Sequence, residues 1–108
     1  MAKADLSAKG GIYLIRNKVT KCVYVGSARD RIKKRWTRHR SRLNRGLHPN
    51  ERLQADWTAQ GPKDFEFRVL ENCNPSKLIE RETFWLAVFR DTMGCEVYNE
   101  VEPQEYGH

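Results

Sequence analysis

Glu82 is a carboxylate on an otherwise apolar helical face. Leu78, Glu82, Trp85 and Phe89 follow one another at spacings of four, three and four, and Ile79 and Leu86 widen the stripe. A carboxylate drawn into such a face needs a cation, an arginine or a proton. Two arrangements meet that need: a structural salt bridge to one of the chain's many arginines, or a hard metal ion. Mg²⁺ suits the second, because it takes carboxylate oxygen and keeps several waters. Periodicity alone does not separate them. Nine basic residues crowd a second region: Arg29, Arg31, Lys33, Lys34, Arg35, Arg38, Arg40, Arg42 and Arg45. A polyanion is attracted to such a run, and each neutralised phosphate releases counterions, so binding there would be salt-sensitive. Arginine outnumbers lysine in it, which suits forked contacts to phosphate.

The elements that must hold these groups form a small α/β unit. Ile12 to Ile15 and Cys22 to Val25 are two short β-prone runs joined by a polar connection, which reads as an antiparallel hairpin. Side chains alternate along a strand, so Tyr13 and Tyr24 point opposite to their aliphatic neighbours and share one face. Ile32, Trp36, His39 and Leu43 make a helical stripe through the basic run, and Arg35 and His39, four apart, are neighbours on it. Asn44 to Asn50 reads as a loop, and Asn50 can N-cap a helix bearing Leu53 and Trp57 that ends near Gly61. Phe65, Phe67 and Val69 alternate within Asp64 to Leu70, a third strand. Asn74-Pro75 reads as a capping side chain with proline at the first helical position, opening a last helix to about Asp91, with Gly94 after its end. A short Val97-Tyr98-Asn99 segment follows.

Composition bounds the rest. The chain has 108 residues, 31% charged and 39% hydrophobic, enough for one packed domain and too little for several. Residues 1 to 50 carry net charge +12 and residues 51 to 108 carry −6, so the basic character lies in one half. No apolar run approaches the roughly 20 residues of a membrane span, and no secretory h-region is visible. Cys22, Cys73 and Cys95 form neither a disulfide framework nor a zinc spacing, which fits a reducing compartment. A cytoplasmic location, in a bacterial or phage-infected cell, is the expectation. A single domain over residues 10–101 with flexible tails at 1–9 and 102–108 is expected.

With these elements placed, the sequence resembles the GIY-YIG nucleases over about residues 10 to 99. The motifs stand as Gly11-Ile12-Tyr13 and Tyr24-Val25-Gly26, then Arg35-Trp36 and His39, then Glu80-Arg81-Glu82 ahead of Phe84-Trp85, then Tyr98-Asn99. Val-Tyr-Val-Gly-Ser-Ala, Lys-Arg-Trp-Thr-Arg-His and Leu-His-Pro-Asn are closest to the catalytic domains of phage and intron homing endonucleases. The resemblance implies a three-stranded antiparallel sheet flanked by about three helices, an α+β sandwich in the order β-β-α-α-β-α. It implies divalent-metal-dependent hydrolysis of DNA phosphodiesters with one Mg²⁺ or Mn²⁺ per active site. Residue by residue, Glu82 matches the metal-binding glutamate and Tyr13 the phenol that activates or orients water. Tyr24 matches a phosphate-side hydrogen bond, Arg35 charge stabilisation, His39 a histidine one turn beyond, and Asn99 a buttress. Gly11 and Gly26 match the motif glycines, Gly26 permitting close approach beside the second tyrosine. Arg29, Arg31, Lys33, Lys34, Arg38, Arg42 and His48 are expected contacts to nucleic acid. Tyr13 and His39 both remain open as the base. The alternatives are a binding module with an inactive site, or a nuclease of RNA or branched DNA. Duplex DNA is the expected partner, with relaxed sequence preference for this chain alone. A homodimer or a further DNA-binding partner would serve double-strand cleavage, and no membrane partner is expected.

Overall fold

The computed structural model describes residues 5–94 and 96–100; Cys95 and the expected tail 102–108 lie outside the described residues. Its elements are β1 (Gly11–Asn17), β2 (Val23–Ala28), α1 (Ile32–Asn44), α2 (Glu51–Gln60), β3 (Phe65–Asn72) and α3 (Leu78–Ala87). The three strands form one antiparallel sheet in the order β2-β1-β3, with β1 central. Hairpin register puts Tyr13 opposite Gly26 and Ile15 opposite Tyr24.

Alternation along β1 and β2 sorts their side chains into two cores. Ile12, Leu14, Val23 and Val25 pack with Leu78, Leu86 and Phe89, so α3 covers the aliphatic face. Tyr13, Ile15 and Tyr24 pack with Ile32, Leu43, Leu53 and Trp57 beneath α1 and α2. Both tyrosines do share one face. That face is a second core, because two amphipathic helices cover it, and Tyr13 is 0% exposed.

Local chemistry explains the boundaries. The Asn50 carboxamide oxygen accepts the Leu53 N–H and starts α2, which Gly61 ends. β3 runs two residues beyond the expected Leu70, since Glu71 and Asn72 still pair with Ile12 and Gly11. Asn74 makes no capping bond, in contrast to the expectation; Pro75–Lys77 form a 3₁₀ turn and α3 begins at Leu78. The last helix then widens into a π turn over Val88–Thr92. At the other end, residues 5–9 of the expected loose leader include a 3₁₀ turn, Leu6–Ala8. They are tied down: the Asn72 carboxamide donates to the Leu6 carbonyl, and Ile32 N–H to the Lys9 carbonyl. Cys22 and Cys73 are free thiols. Among the described residues no helix is long and apolar enough to cross a membrane.

Candidate active site

The site lies where β1, β2 and α1 meet. Tyr13 projects from the centre of the sheet, and its ring lies over Gly26 on β2. A Cβ built at Gly26 would come 2.5 Å from the Tyr13 Cζ and hydroxyl. The motif glycine therefore makes room for the first tyrosine rather than easing approach to the second. Gly11 has φ +150°, and a Cβ there would come 2.1 Å from the Glu71 carbonyl, so it admits β3 against β1. From α1, His39 sets its Nε2 2.6 Å from the Tyr13 hydroxyl. The edges of Tyr13 and Tyr24 both meet the His39 ring. Asn99 holds β2 beside Tyr24: its carboxamide accepts the Val25 N–H at 2.9 Å and donates to the Val25 carbonyl at 2.8 Å. The side chain thus acts as one more paired strand residue.

Electrostatics here are set by burial. Burial pushes the Tyr13 phenol well above its ordinary value; the charges of Tyr24 and Glu82 add to the rise, and Arg35 and Arg38 oppose it. Tyr24 is pushed up to about 12, first by burial and then by Glu82, with Arg35 and Arg42 opposing. Both phenols thus lie within the fields of Glu82 and Arg35. Burial takes His39 down to about 3, helped by His48, Arg35, Arg42 and Arg38. His48 falls to about 4, through burial and then Arg42. Both imidazoles are neutral near pH 7. Glu82 is 1% exposed between Leu78 and Leu86 on α3.

Two cavities open along α1. One, of about 220 Å³, is lined by Tyr24, Arg35, Arg38, His39, Arg42, His48 and Pro49. The second, of about 190 Å³, is lined by Ala28, Arg29, Asp30, Arg31, Lys34, Arg35 and Arg38. Arg35 and Arg38 belong to both, so together they form one cationic trough along α1 that reaches Tyr24. The first turn of α1 has no acid and no side-chain cap, which leaves the positive helix end facing that trough. Six of the seven side chains expected at nucleic acid sort cleanly. Arg29, Arg31, Lys34, Arg38 and Arg42 line the trough, whereas Lys33 lines neither cavity and pairs at 3.5 Å with Asp5. His48, the seventh, was expected at phosphate. It is 7% exposed with both ring nitrogens engaged: Nε2 lies 2.8 Å from His39 Nδ1, and Nδ1 accepts the Asn50 N–H at 3.0 Å. No ring nitrogen is left for a phosphate oxygen. The part of Asn50 beyond its capping role, its own backbone N–H, had no signal in the sequence other than its position two residues after His48.

Comparison with known proteins agrees with this geometry. The family model of the GIY-YIG catalytic domain matches residues 9–96. The chain belongs to the GIY-YIG family. Intron-associated endonuclease 1 of Enterobacteria phage T4 is 44% identical over 80 residues, which is 72% of this chain and 32% of that protein. The chain therefore spans about a third of the length of that curated relative. Two solved structures of the catalytic domain of intron endonuclease I-TevI superpose well. One, a mutant, has TM-score 0.77 at 36% identity, covering 89% of this chain and 97% of that one. The other has TM-score 0.73 at 35% identity, covering 85% and 100%. The GIY-YIG fold, three antiparallel strands with three helices, is thus that of an endonuclease catalytic domain.

Members of the GIY-YIG family are generally divalent-metal dependent, and the donor set here suits such an ion. Glu82 offers a hard carboxylate sequestered from bulk water, with its field reaching both phenols. Among the described residues no group of three or more His, Cys, Asp and Glu is placed to hold a metal. An ion at Glu82 would complete its shell with water and phosphate oxygen, as Mg²⁺ readily does.

Proposed function

We propose that this chain is a divalent-metal-dependent DNA endonuclease, hydrolysing phosphodiester bonds of duplex DNA with one Mg²⁺ or Mn²⁺ per active site. The observation that carries the reading is a shared environment: two buried phenols within the fields of one guanidinium and one sequestered carboxylate, beside a cationic trough. Arg29, Arg31, Lys34, Arg38 and Arg42 hold the backbone of the strand by charge, which orients it without reading sequence. Arg35 neutralises charge developing on the attacked phosphate, and the Tyr24 hydroxyl hydrogen-bonds a phosphate oxygen. Tyr13, as the phenolate, orients the attacking water and takes its proton, and Asn99 keeps β2 and Tyr24 in register beneath it. Glu82 would hold the divalent ion, which would supply Lewis-acid polarisation of the phosphate and charge neutralisation of the departing oxygen. One such site cuts one strand per engagement, so double-strand cleavage calls for a second copy or a DNA-binding partner.

A supercoiled-plasmid nicking assay tests this reading. Wild type is expected to give open circles with Mg²⁺ and none with EDTA, and Arg35→Ala to nick about 10²–10³-fold more slowly. Equal nicking by the two proteins would show that the site is misassigned. Salt-dependent binding with no Mg²⁺-dependent product would leave a nucleic-acid-binding module with an inactive site.

A further inference from the structure

His39 and His48 form a hydrogen-bonded chain whose direction is fixed at one end. A backbone N–H can only donate, and the Asn50 N–H donates to His48 Nδ1 at 3.0 Å. A neutral imidazole has one proton, so His48 carries it on Nε2. That nitrogen lies 2.8 Å from His39 Nδ1, which must then accept. The His39 proton is therefore on Nε2, 2.6 Å from the Tyr13 hydroxyl oxygen. Reversing any link would set two N–H groups against each other, or two lone pairs.

We propose that His48, locked by the Asn50 backbone, is a positioning residue that holds His39 as an Nε2–H donor to Tyr13, so that His39 stabilises the phenolate and does not take the phenol proton. The inference deepens the nuclease reading and rests on Tyr13 as the water-facing phenol. It also removes the ambiguity over the base, since the only nitrogen of His39 that reaches Tyr13 already bears a proton. The Tyr13 proton then points away from His39, and a water entering with the substrate, rather than His39, takes it on ionisation. A donor is what the site needs, because burial opposes the phenolate and a hydrogen bond to it lowers that cost. The lock is well built. His48 N–H donates to the Gln54 carboxamide at 3.0 Å, Gln54 in turn donates to the Leu43 carbonyl, and the two imidazoles stack with centroids 5.0 Å apart.

The test is the tautomer itself, read by long-range ¹H–¹⁵N NMR on the ¹⁵N-labelled wild-type chain at pH 7, which needs neither a variant nor cleavage. Both imidazoles are expected to carry their proton on Nε2 with Nδ1 bare; His39 protonated on Nδ1 overturns the proposal. Substitution tests the role. Gln at position 39 can still donate to Tyr13 but is no base at this pH. His39→Gln is expected to nick within roughly tenfold of wild type with the same pH profile, while His39→Ala falls about 10²-fold. If Gln is as poor as Ala and the acidic limb of the profile vanishes in both, His39 is the base and the proposal fails. A wild-type chain with no nicking would sink the nuclease reading instead, and the NMR result would still decide the relay.

Discussion

Acid should unfold this domain earlier than its carboxylates require, because of the two buried imidazoles. An unfolded histidine titrates near 6.5, whereas burial and the neighbouring Arg35, Arg38 and Arg42 hold His39 at about 3, and burial with Arg42 holds His48 at about 4. Well above pH 6.5 neither form binds a proton and there is no penalty. As pH falls below 6.5 the unfolded chain takes up protons that the folded chain refuses, so stability declines, at about 1.4 kcal/mol per unit for each histidine. Between pH 7 and pH 5 each contributes a loss of about 2 kcal/mol, about 4 kcal/mol for the pair, independent of the folded values as long as both lie below 5. That is a large share of a typical domain's total. Urea unfolding at both pH values and fixed ionic strength measures it, with His39→Gln/His48→Gln as the control. The double variant should start less stable at pH 7 and lose about 4 kcal/mol less than wild type on acidification. Parallel losses in the two proteins would refute the claim that these imidazoles are held neutral by the fold.

Other consequences follow from single contacts. Gly26→Ala should place a methyl against the Tyr13 ring, displace its hydroxyl from His39 and slow nicking about 10²-fold, with a stability loss of about 1–3 kcal/mol in urea melts. Tyr98→Phe should cost about 1–2 kcal/mol by the same measurement, since that hydroxyl donates to Asp56 at 2.6 Å and accepts from Asn17. Lys34→Ala should weaken binding to duplexes of any sequence alike and reduce the slope of log K against log salt by about 1. A loss confined to one sequence would contradict its assignment to the phosphate backbone.

Much of the architecture is legible in residue order because it rests on local rules. The hairpin shows in Gly11 to Val25, the stripe of α1 in Ile32, Trp36, His39 and Leu43, and the start of α2 in the Asn50 cap. The Glu82 carboxylate stands out for the same reason, as a break in a period. What stayed hidden depends on tertiary approach. The partner of Gly26 is a ring on another strand, and no pattern within Tyr24-Val25-Gly26 points to Tyr13. His48 reads as an exposed loop histidine until the loop folds back and buries both its nitrogens. Asn74 reads as a cap, yet its side chain accepts no backbone amide, and Pro75–Lys77 form a 3₁₀ turn before α3 begins at Leu78. Tyr98, 1% exposed, looks like half of a motif pair with Asn99, while in the fold its hydroxyl joins Asn17 and Asp56 across the core.

The most direct measurement of the central claim is single-turnover nicking of supercoiled DNA in Mg²⁺ by wild type and by Glu82→Gln, a nearly isosteric change that removes only the charge. The account predicts Mg²⁺-dependent open circles from wild type and a rate lower by about 10³-fold in Glu82→Gln, with unchanged DNA affinity. Equal rates from the two proteins would contradict it.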